Sequence, residues 1–582
     1  MEREDQHQQQ GRKNNGTNYK SDQTDDSYYY TSNIEIGKTF VSDKHPNTID
    51  SFWFTIKPDI IVNPFDYVTV EQSYHAKTIG MIQDLQTVIA DKNYFIGQQS
   101  IKEEKSTNNS PTNALHYDRQ YGVNIARVSV MANSEFKEGS LKSTSTGMPV
   151  KLGKSVRFAN VEEVMFALGI PEMAYPIPAG IIKMSNGLQI PVYLDVSYLL
   201  GPDTTHVNAS GISGNAKTSY LLFLLHSVYQ KLKEYHEEFA LVIFNTKEAD
   251  LLDIDGRGDG EEPFENITYF LPRGKDGKPN SIHIPENAKT YSYELVDVYD
   301  RLELLFSEIY DPHYNLSSIV NYIYEFWPIK NNNANTISEK RKGNEEKVVK
   351  TWTDLFNFKD YPGEIITHKS SLLQFQGYVQ RFRRSSLFID KKVTSTYLGK
   401  EIKQIRSGDI FVIDIAMLSE LEQQAFVIGD VMKSIDEMFS LRAETINLDD
   451  GSNSKRSKKP KYLLIFIDEI NRFLPKSRQA GRMNTVAEQI MKTLIAGRSR
   501  GTILFSAQQF KSTVDYALHE NTGMHITAKV GLSELSTAPY NIIDESTKMN
   551  IMRLNKGELV LIHSAFRHPI KITFPKAPFK KP

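Results

Sequence analysis

The residues best equipped for chemistry lie in one short stretch, His206-Val-Asn-Ala-Ser-Gly211-Ile-Ser-Gly214-Asn-Ala216-Lys217-Thr218-Ser219, followed by the apolar run Tyr220–Val228. Small residues let backbone N–H groups curl round a phosphate, a lysine reaches the β/γ oxygens, and a hydroxyl serves Mg2+. A helix that starts there adds the positive end of its dipole. Gly211, Ser213, Gly214, Asn215, Ala216, Lys217, Thr218 and Ser219 therefore form a candidate ATP-binding loop, close to the pattern G-x-x-x-x-G-K-[ST]. Ala216 replaces the second glycine of that pattern, and the expected geometry is strained but tolerable. A glycine-rich turn before an ordinary helix is the competing account of the same residues.

A second element bears on that choice. Leu463-Leu-Ile-Phe-Ile467-Asp468-Glu469 reads as a buried strand ending in two acids. Beside a phosphate loop, the aspartate serves the Mg2+ shell, together with Thr218, and the glutamate activates the attacking water. Thr502–Ala507 is another apolar strand, and Gln508 at its tip is a candidate γ-phosphate sensor or an amide in a strand-end turn. Arg498 and Arg500 close the helix before that strand. They are either helix-end charges or a finger reaching a neighbour's nucleotide. The second role is attractive because the site read from sequence has no other cation for charge developing on the γ-phosphoryl. Lys476, Arg478 and Arg482 follow the acidic pair in a polar loop and are candidate DNA-phosphate contacts; a solvated loop is the alternative. The Lys455–Lys461 run reads as solvated surface.

Positioning such residues takes an α/β scaffold. Ala240–Asn245, Asp409–Ile415, Tyr462–Ile467 and Thr502–Ala507 are continuous apolar strands separated by helical patterns. That grammar means a parallel sheet covered on both faces. Upstream, Ile34–Ser42, Ser51–Lys57, Tyr67–Glu71, Val123–Ala132 and Leu188–Asp195 read as short strands of a small barrel or open sandwich. The expected division is a disordered polar tail over 1–33, a β-barrel domain over 34–195, and an ATPase core over 196–289 and 388–582. A helical insertion over 290–387 interrupts that core and contains a long polar loop, Lys330–Lys350.

Composition bounds the rest. The 582 residues are 40% hydrophobic and 24% charged with a formal net charge of −2, so nucleic-acid contact requires local basic segments. With no cysteine, disulfides and thiolate metal sites are excluded, in keeping with a reducing, cytoplasmic setting. No apolar run is long enough for a membrane span, and no membrane partner is expected.

On these motifs the chain resembles the HerA family, within the HerA–FtsK group of hexameric DNA pumps. The likeness runs from Ile34 to the end. It includes Ile36-Gly37, the segment Thr78-Ile79-Gly80-Met81-Ile82, Asp195 through Thr218 with His206, the turn Asn245-Thr-Lys247-Glu248, Ser407–Asp414, and the closing strands from Leu554 to Pro575. The resemblance implies a RecA-like core with an N-terminal β-barrel and ATP with Mg2+ at the site. It also implies a homo-hexamer on double-stranded DNA and an effector partner, a nuclease or a sirtuin-like NAD-consuming enzyme, in DNA end processing or anti-phage defence. Carried over by position, Lys217 and Thr218 hold phosphate and Mg2+, Asp468 the metal, Glu469 is the base, Gln508 the sensor, and Arg498 or Arg500 the finger. A nucleotide-binding scaffold ring that activates an effector with little translocation is the second reading. Ala216, and Thr205 where many relatives place a basic residue, depart from the family's pattern.

Overall fold

The computed structural model describes residues 34–72, 76–89, 122–137, 140–144, 147–200, 206–214, 216–254, 263–307, 309–311, 315–326, 351–357, 369–391, 395–446, 459–476, 482–483 and 485–574. The expected tail and the Lys330–Lys350 loop lie outside these residues, as does most of the Lys455–Lys461 run.

The N-terminal strands are β1 (Glu35–Phe40), β2 (Ser51–Ile56), β3 (Tyr67–Glu71), β4 (Ala76–Ile89), β5 (Gly122–Lys137), β6 (Ser140–Ser143) and β7 (Ser155–Phe158). They run in the order β2-β1-β7-β3-β4-β5, and β2 pairs back onto β5 with Phe52 opposite Val128 and Phe54 opposite Ala126. Six strands thus close a barrel, and β6 extends β5 as a hairpin. Period-two alternation fills it: Phe52 and Phe54, Val68 and Val70, Ile79 and Met81 are all buried inward-side pairs.

The larger sheet carries β8 (Pro176–Lys183), β9 (Gln189–Asp195), β10 (His206–Ser210), β11 (Phe239–Asn245), β12 (Ile267–Pro272), β13 (Ala288–Tyr291), β15 (Ile410–Asp414), β16 (Tyr462–Ile467), β18 (Thr502–Gln508), β19 (Thr522–Thr527), β20 (Glu558–His563) and β21 (Ile570–Thr573). A small separate ladder pairs β14 (Ile309–Tyr310) with β17 (Arg482–Met483). The order in the large sheet is β13-β12-β15-β11-β16-β18-β10-β19-β20-β21-β8-β9. The strands from β13 to β19 are mutually parallel, and from β19 onward the pairings are antiparallel. β11, F-A-L-V-I-F-N, is buried at every position. Its alternate residues Leu241 and Ile243 join one core cluster while Ala240, Val242 and Phe244 join the other. The sheet is therefore covered on both faces, which is why its strands read as unbroken apolar runs rather than alternating ones. This is the α/β, RecA-like architecture with an N-terminal barrel that the sequence implied.

Leu188–Asp195, expected among the barrel strands, falls in β9, and β8 and β9 form a hairpin on the edge of the large sheet, joined through Ile181 opposite Thr573 of β21. Alternation identifies a half-buried strand but not the edge that accepts it. The helical segment leaves the sheet after β13 and returns at β15. Helices α2 (Asn315–Phe326) and α3 (Lys369–Phe382) belong to it, whereas α1 (Lys217–Glu234), α4 (Leu421–Ile446) and α5 (Thr485–Arg500) belong to the core. Buried Arg301 ties the segment to α4, donating to Ser434 at 2.7 Å and Glu437 at 2.7 Å and pairing with Asp430. No helix among the described residues is long and apolar enough to cross a membrane.

Candidate active site

Strand β10 sits between β18 and β19, and β18 lies between β10 and β16. The phosphate loop at the tip of β10 and the acids at the tip of β16 are thus two strands apart on the same carboxyl edge. Open α/β sheets place their ligands outside that edge. Gly211 begins the loop with φ 143°, and a Cβ there would stand 2.7 Å from the Cβ of Ala528, so only glycine fits. The loop ends at Ala216, in the left-handed region with φ 63° and ψ 18°. The expected strain is present as this positive φ, worth about 1–2 kcal/mol for a residue with a Cβ.

α1 then starts at Lys217. Its buried face, Tyr220, Leu221, Leu224, Leu225, Val228 and Leu232, repeats at helical spacing, and the helix closes where the Glu237 N–H reaches the Leu232 carbonyl at 3.0 Å over left-handed His236. The helix therefore points its amino end into the loop. Lys217 is buried and donates to the Ile212 carbonyl at 3.2 Å. Burial, followed by the pull of Asp468 and Glu469 in the opposite sense, leaves its pKa below the usual lysine value. A buried ammonium holding one long hydrogen bond fits an anion at the loop.

The Thr218 hydroxyl donates to Asp468 Oδ2 at 2.9 Å. Asp468 Oδ1 in turn accepts the Glu469 N–H at 2.8 Å, which holds Glu469 in a left-handed conformation, φ 51°. One carboxylate and one hydroxyl, completed by substrate phosphates and water, is a donor set suited to Mg2+, which seldom takes an all-protein cage. Among the described residues six non-glycine residues have positive φ, and three of them, Ala216, Glu248 and Glu469, are here. Backbone strain of this kind concentrates at functional sites.

Lys247, in the turn after β11, was not assigned a role from sequence. Its ammonium lies 2.8 Å from Glu469 Oε1 and 3.3 Å from Asp468 Oδ2. Burial works against its charge, but the two carboxylates prevail and its pKa is raised. The premise that the site lacks a second cation is therefore corrected. A lysine two residues beyond an apolar strand next to the Asp-Glu strand was the available signal.

Gln508 is buried, and its amide exchanges two hydrogen bonds with Asn208 of β10, at 2.7 and 2.8 Å. The pair braces β18 against β10 and leaves each end of the Gln508 amide one further hydrogen-bonding position. Arg500 pairs with Asp436 of α4 in its own chain. Arg498 lies on α5, and its side chain is outside the described residues, as is Asn215. His206 braces the base of the site: Nδ1 accepts the Leu504 N–H at 3.0 Å and Nε2 lies 3.0 Å from the Leu494 carbonyl, which fixes the Nε2-protonated tautomer. Gly497 makes that approach possible, since a Cβ would come within 2.9 Å of the ring. Lys476 is exposed; Arg478 is outside the described residues; Arg482 is placed only as backbone, opposite Tyr310. The structure thus gathers Lys217, Thr218, Asp468 and Glu469 and adds Lys247.

These features define a P-loop nucleotide fold of the RecA-like class, with the acid strand separated from the loop strand by one intervening strand. No family model and no curated protein matches the chain. Among solved structures it is similar to the bacterial conjugative coupling protein TrwB, at 11% identity over 69% of this chain and 91% of that one, TM-score 0.38. It is also similar to VirB4 of Thermoanaerobacter pseudethanolicus, at 13% identity over 70% and 98%, TM-score 0.39. A third likeness is to the genome packaging NTPase B204 from Sulfolobus turreted icosahedral virus 2, at 8% over 64% and 98%, TM-score 0.28. At such values nothing about function passes from them to this chain, and the fold rests on its own strand order.

Proposed function

We propose that the chain is a Mg2+-dependent ATPase that moves duplex DNA as one subunit of a ring of six. The observation that carries the ATPase reading is the meeting of Thr218 and Asp468 at 2.9 Å beside the buried Lys217 ammonium. Lys217 would bind the β/γ oxygens of ATP, and Thr218 and Asp468 would hold the Mg2+ shell. Bound there, the ion would neutralise phosphate charge. Glu469 accepts the proton of the attacking water once Lys247 turns from it to the γ-phosphoryl. Lys247 then supplies in cis the charge that Arg498 or Arg500 of a neighbour would supply in trans. The motor, the ring, the cytoplasmic setting, and an effector of nuclease or sirtuin-like type in anti-phage defence rest on the sequence resemblance to HerA proteins.

The second reading, a scaffold ring that organises an effector with little translocation, draws support from Ala216 in place of the loop's second glycine. ATP turnover with and without duplex DNA separates the two. The motor predicts at least about tenfold stimulation; turnover indifferent to DNA favours the scaffold.

A further inference from the structure

Four strands along the same carboxyl edge from β10, a cleft of about 1230 Å³ opens at the ends of β12 and β15. At about 4.8 Å per strand this is roughly 19 Å from the phosphate loop. Three segments build its walls. The turn after β12, Arg273-Gly-Lys-Asp-Gly-Lys278, folds back with the Gly274 N–H on the Lys278 carbonyl at 2.7 Å. The end of α3 supplies Arg381, Arg383 and Arg384, and residues 417–420 follow β15. Hydrogen bonds join them: Ser386 Oγ donates to the Arg273 carbonyl at 2.6 Å, and Asn280 Nδ2 to the Met417 carbonyl at 3.4 Å.

The lining carries five cationic side chains, Arg273, Lys275, Arg381, Arg383 and Arg384, against two acids, Asp276 and Glu420. In a chain of net charge −2 this is a concentrated excess. Of the five, Arg381 reaches a carboxylate, Glu422, at 3.4 Å. Arg383 and Arg384 are exposed and have no ion pair among the described residues. The cleft is larger than a small-anion pocket needs, and its cations are spread over separate walls.

We infer that this cleft binds the phosphodiester backbone of DNA, with Arg383 and Arg384 contacting phosphates without reading sequence. The inference rests on the DNA-motor reading above and moves the main contact away from the Lys476–Arg482 loop. Cations that lack local partners release counterions when they meet a polyanion, so binding should fall steeply with salt.

The test is fluorescence anisotropy of the full chain with labelled duplex DNA over a salt series, without nucleotide. Replacing both Arg383 and Arg384 by Ala should weaken binding at least about tenfold at moderate salt. It should also flatten the slope of log K against log salt by about 1.8, which is 0.9 for each lost contact. Arg383→Lys with Arg384→Lys should keep most of the slope, because phosphate contacts need charge rather than a fork; matching unfolding curves show that all variants fold. An unchanged slope in the alanine pair while wild type binds DNA overturns the cleft and leaves the motor reading standing, as does loss confined to Lys476→Ala, Arg478→Ala or Arg482→Ala. Wild type that binds inorganic polyphosphate but no DNA overturns both.

Discussion

Two regions on one sheet edge treat charge in opposite ways. At the tips of β10, β11 and β16, Lys247 faces Asp468 and Glu469, and the backbone is strained at Ala216, Glu248 and Glu469. At the ends of β12 and β15, Arg383 and Arg384 stand exposed. The first arrangement suits a small ligand whose charges must meet fixed atoms to within fractions of an ångström. The second suits a polyelectrolyte, for which excess charge matters more than position. Between them lies a chain of polar contacts along the strand tips: Asn245 donates to Asp414 at 2.9 Å and to the Glu248 carbonyl at 2.7 Å, next to Lys247. Burial raises the Asp414 carboxyl to about 6.

The comparison breaks most sharply at Lys217. Lys217→Ala should abolish ATP hydrolysis and weaken nucleotide binding while DNA affinity measured without nucleotide stays within about twofold, since the cleft is four strands away. A parallel loss of DNA binding in a folded variant would mean that the regions are not separate. Glu469→Gln should keep ATP binding and lower turnover by about 10²–10⁴, the usual worth of a general base; wild-type turnover would remove Glu469 from that role.

Lys247→Ala sharpens the contrast. If its charge serves the reaction, turnover should fall about a hundredfold with little change in ATP affinity, and Arg500→Ala should cost far less. The reverse ranking would return the role to an arginine acting between subunits.

A third cation shows what burial without compensation does. Lys511, just beyond β18, is fully buried; its ammonium has no hydrogen-bond partner among the described residues and lies 5.0 Å over the Tyr540 ring. Burial, partly offset by Glu534, lowers its pKa to about 7. The unfolded lysine titrates near about 10.4, so between pH 7 and 10 the unfolded chain binds more protons and stability rises with pH. Lys511→Met should reduce that rise in urea midpoints, leaving the part owed to Lys217, whose pKa burial also lowers, and be the more stable protein at pH 7. His519 and His563, both depressed to about 4 by burial, act only below about pH 6.5 and leave this window clear. A wild-type midpoint that is flat from pH 7 to 10 would contradict the account. The smallest effect is expected at Ala216→Gly. The strain is already present in the nucleotide-free loop, so ATP affinity should change by less than about threefold; a tenfold change would show that the loop rearranges on binding.

The sequence made the sheet core and the tips of β10 and β16 legible because both are local: a loop of small residues before Lys-Thr, and an apolar run ending in Asp-Glu. Lys247 and the cleft were not, since each depends on strand order. Nothing in Arg273-Gly-Lys or Arg381-Phe-Arg-Arg says that a turn and a helix end more than a hundred residues apart share one wall. The bracing of Gln508 by Asn208, on the neighbouring strand, depends on strand order in the same way and has no local signal in the sequence. β19, Thr-Gly-Met-His-Ile-Thr, escaped notice because it has no continuous apolar run.

The most direct test is a structure of the full chain with Mg2+ and a non-hydrolysable ATP analogue. The account predicts the Lys217 ammonium on the β/γ oxygens, the Thr218 hydroxyl and Asp468 parted from their direct hydrogen bond to share the metal shell, and Lys247 turned from Glu469 toward the γ-phosphate. A nucleotide bound away from this loop, or one bound in it with Thr218 still on Asp468 and Lys247 still on Glu469, would contradict it.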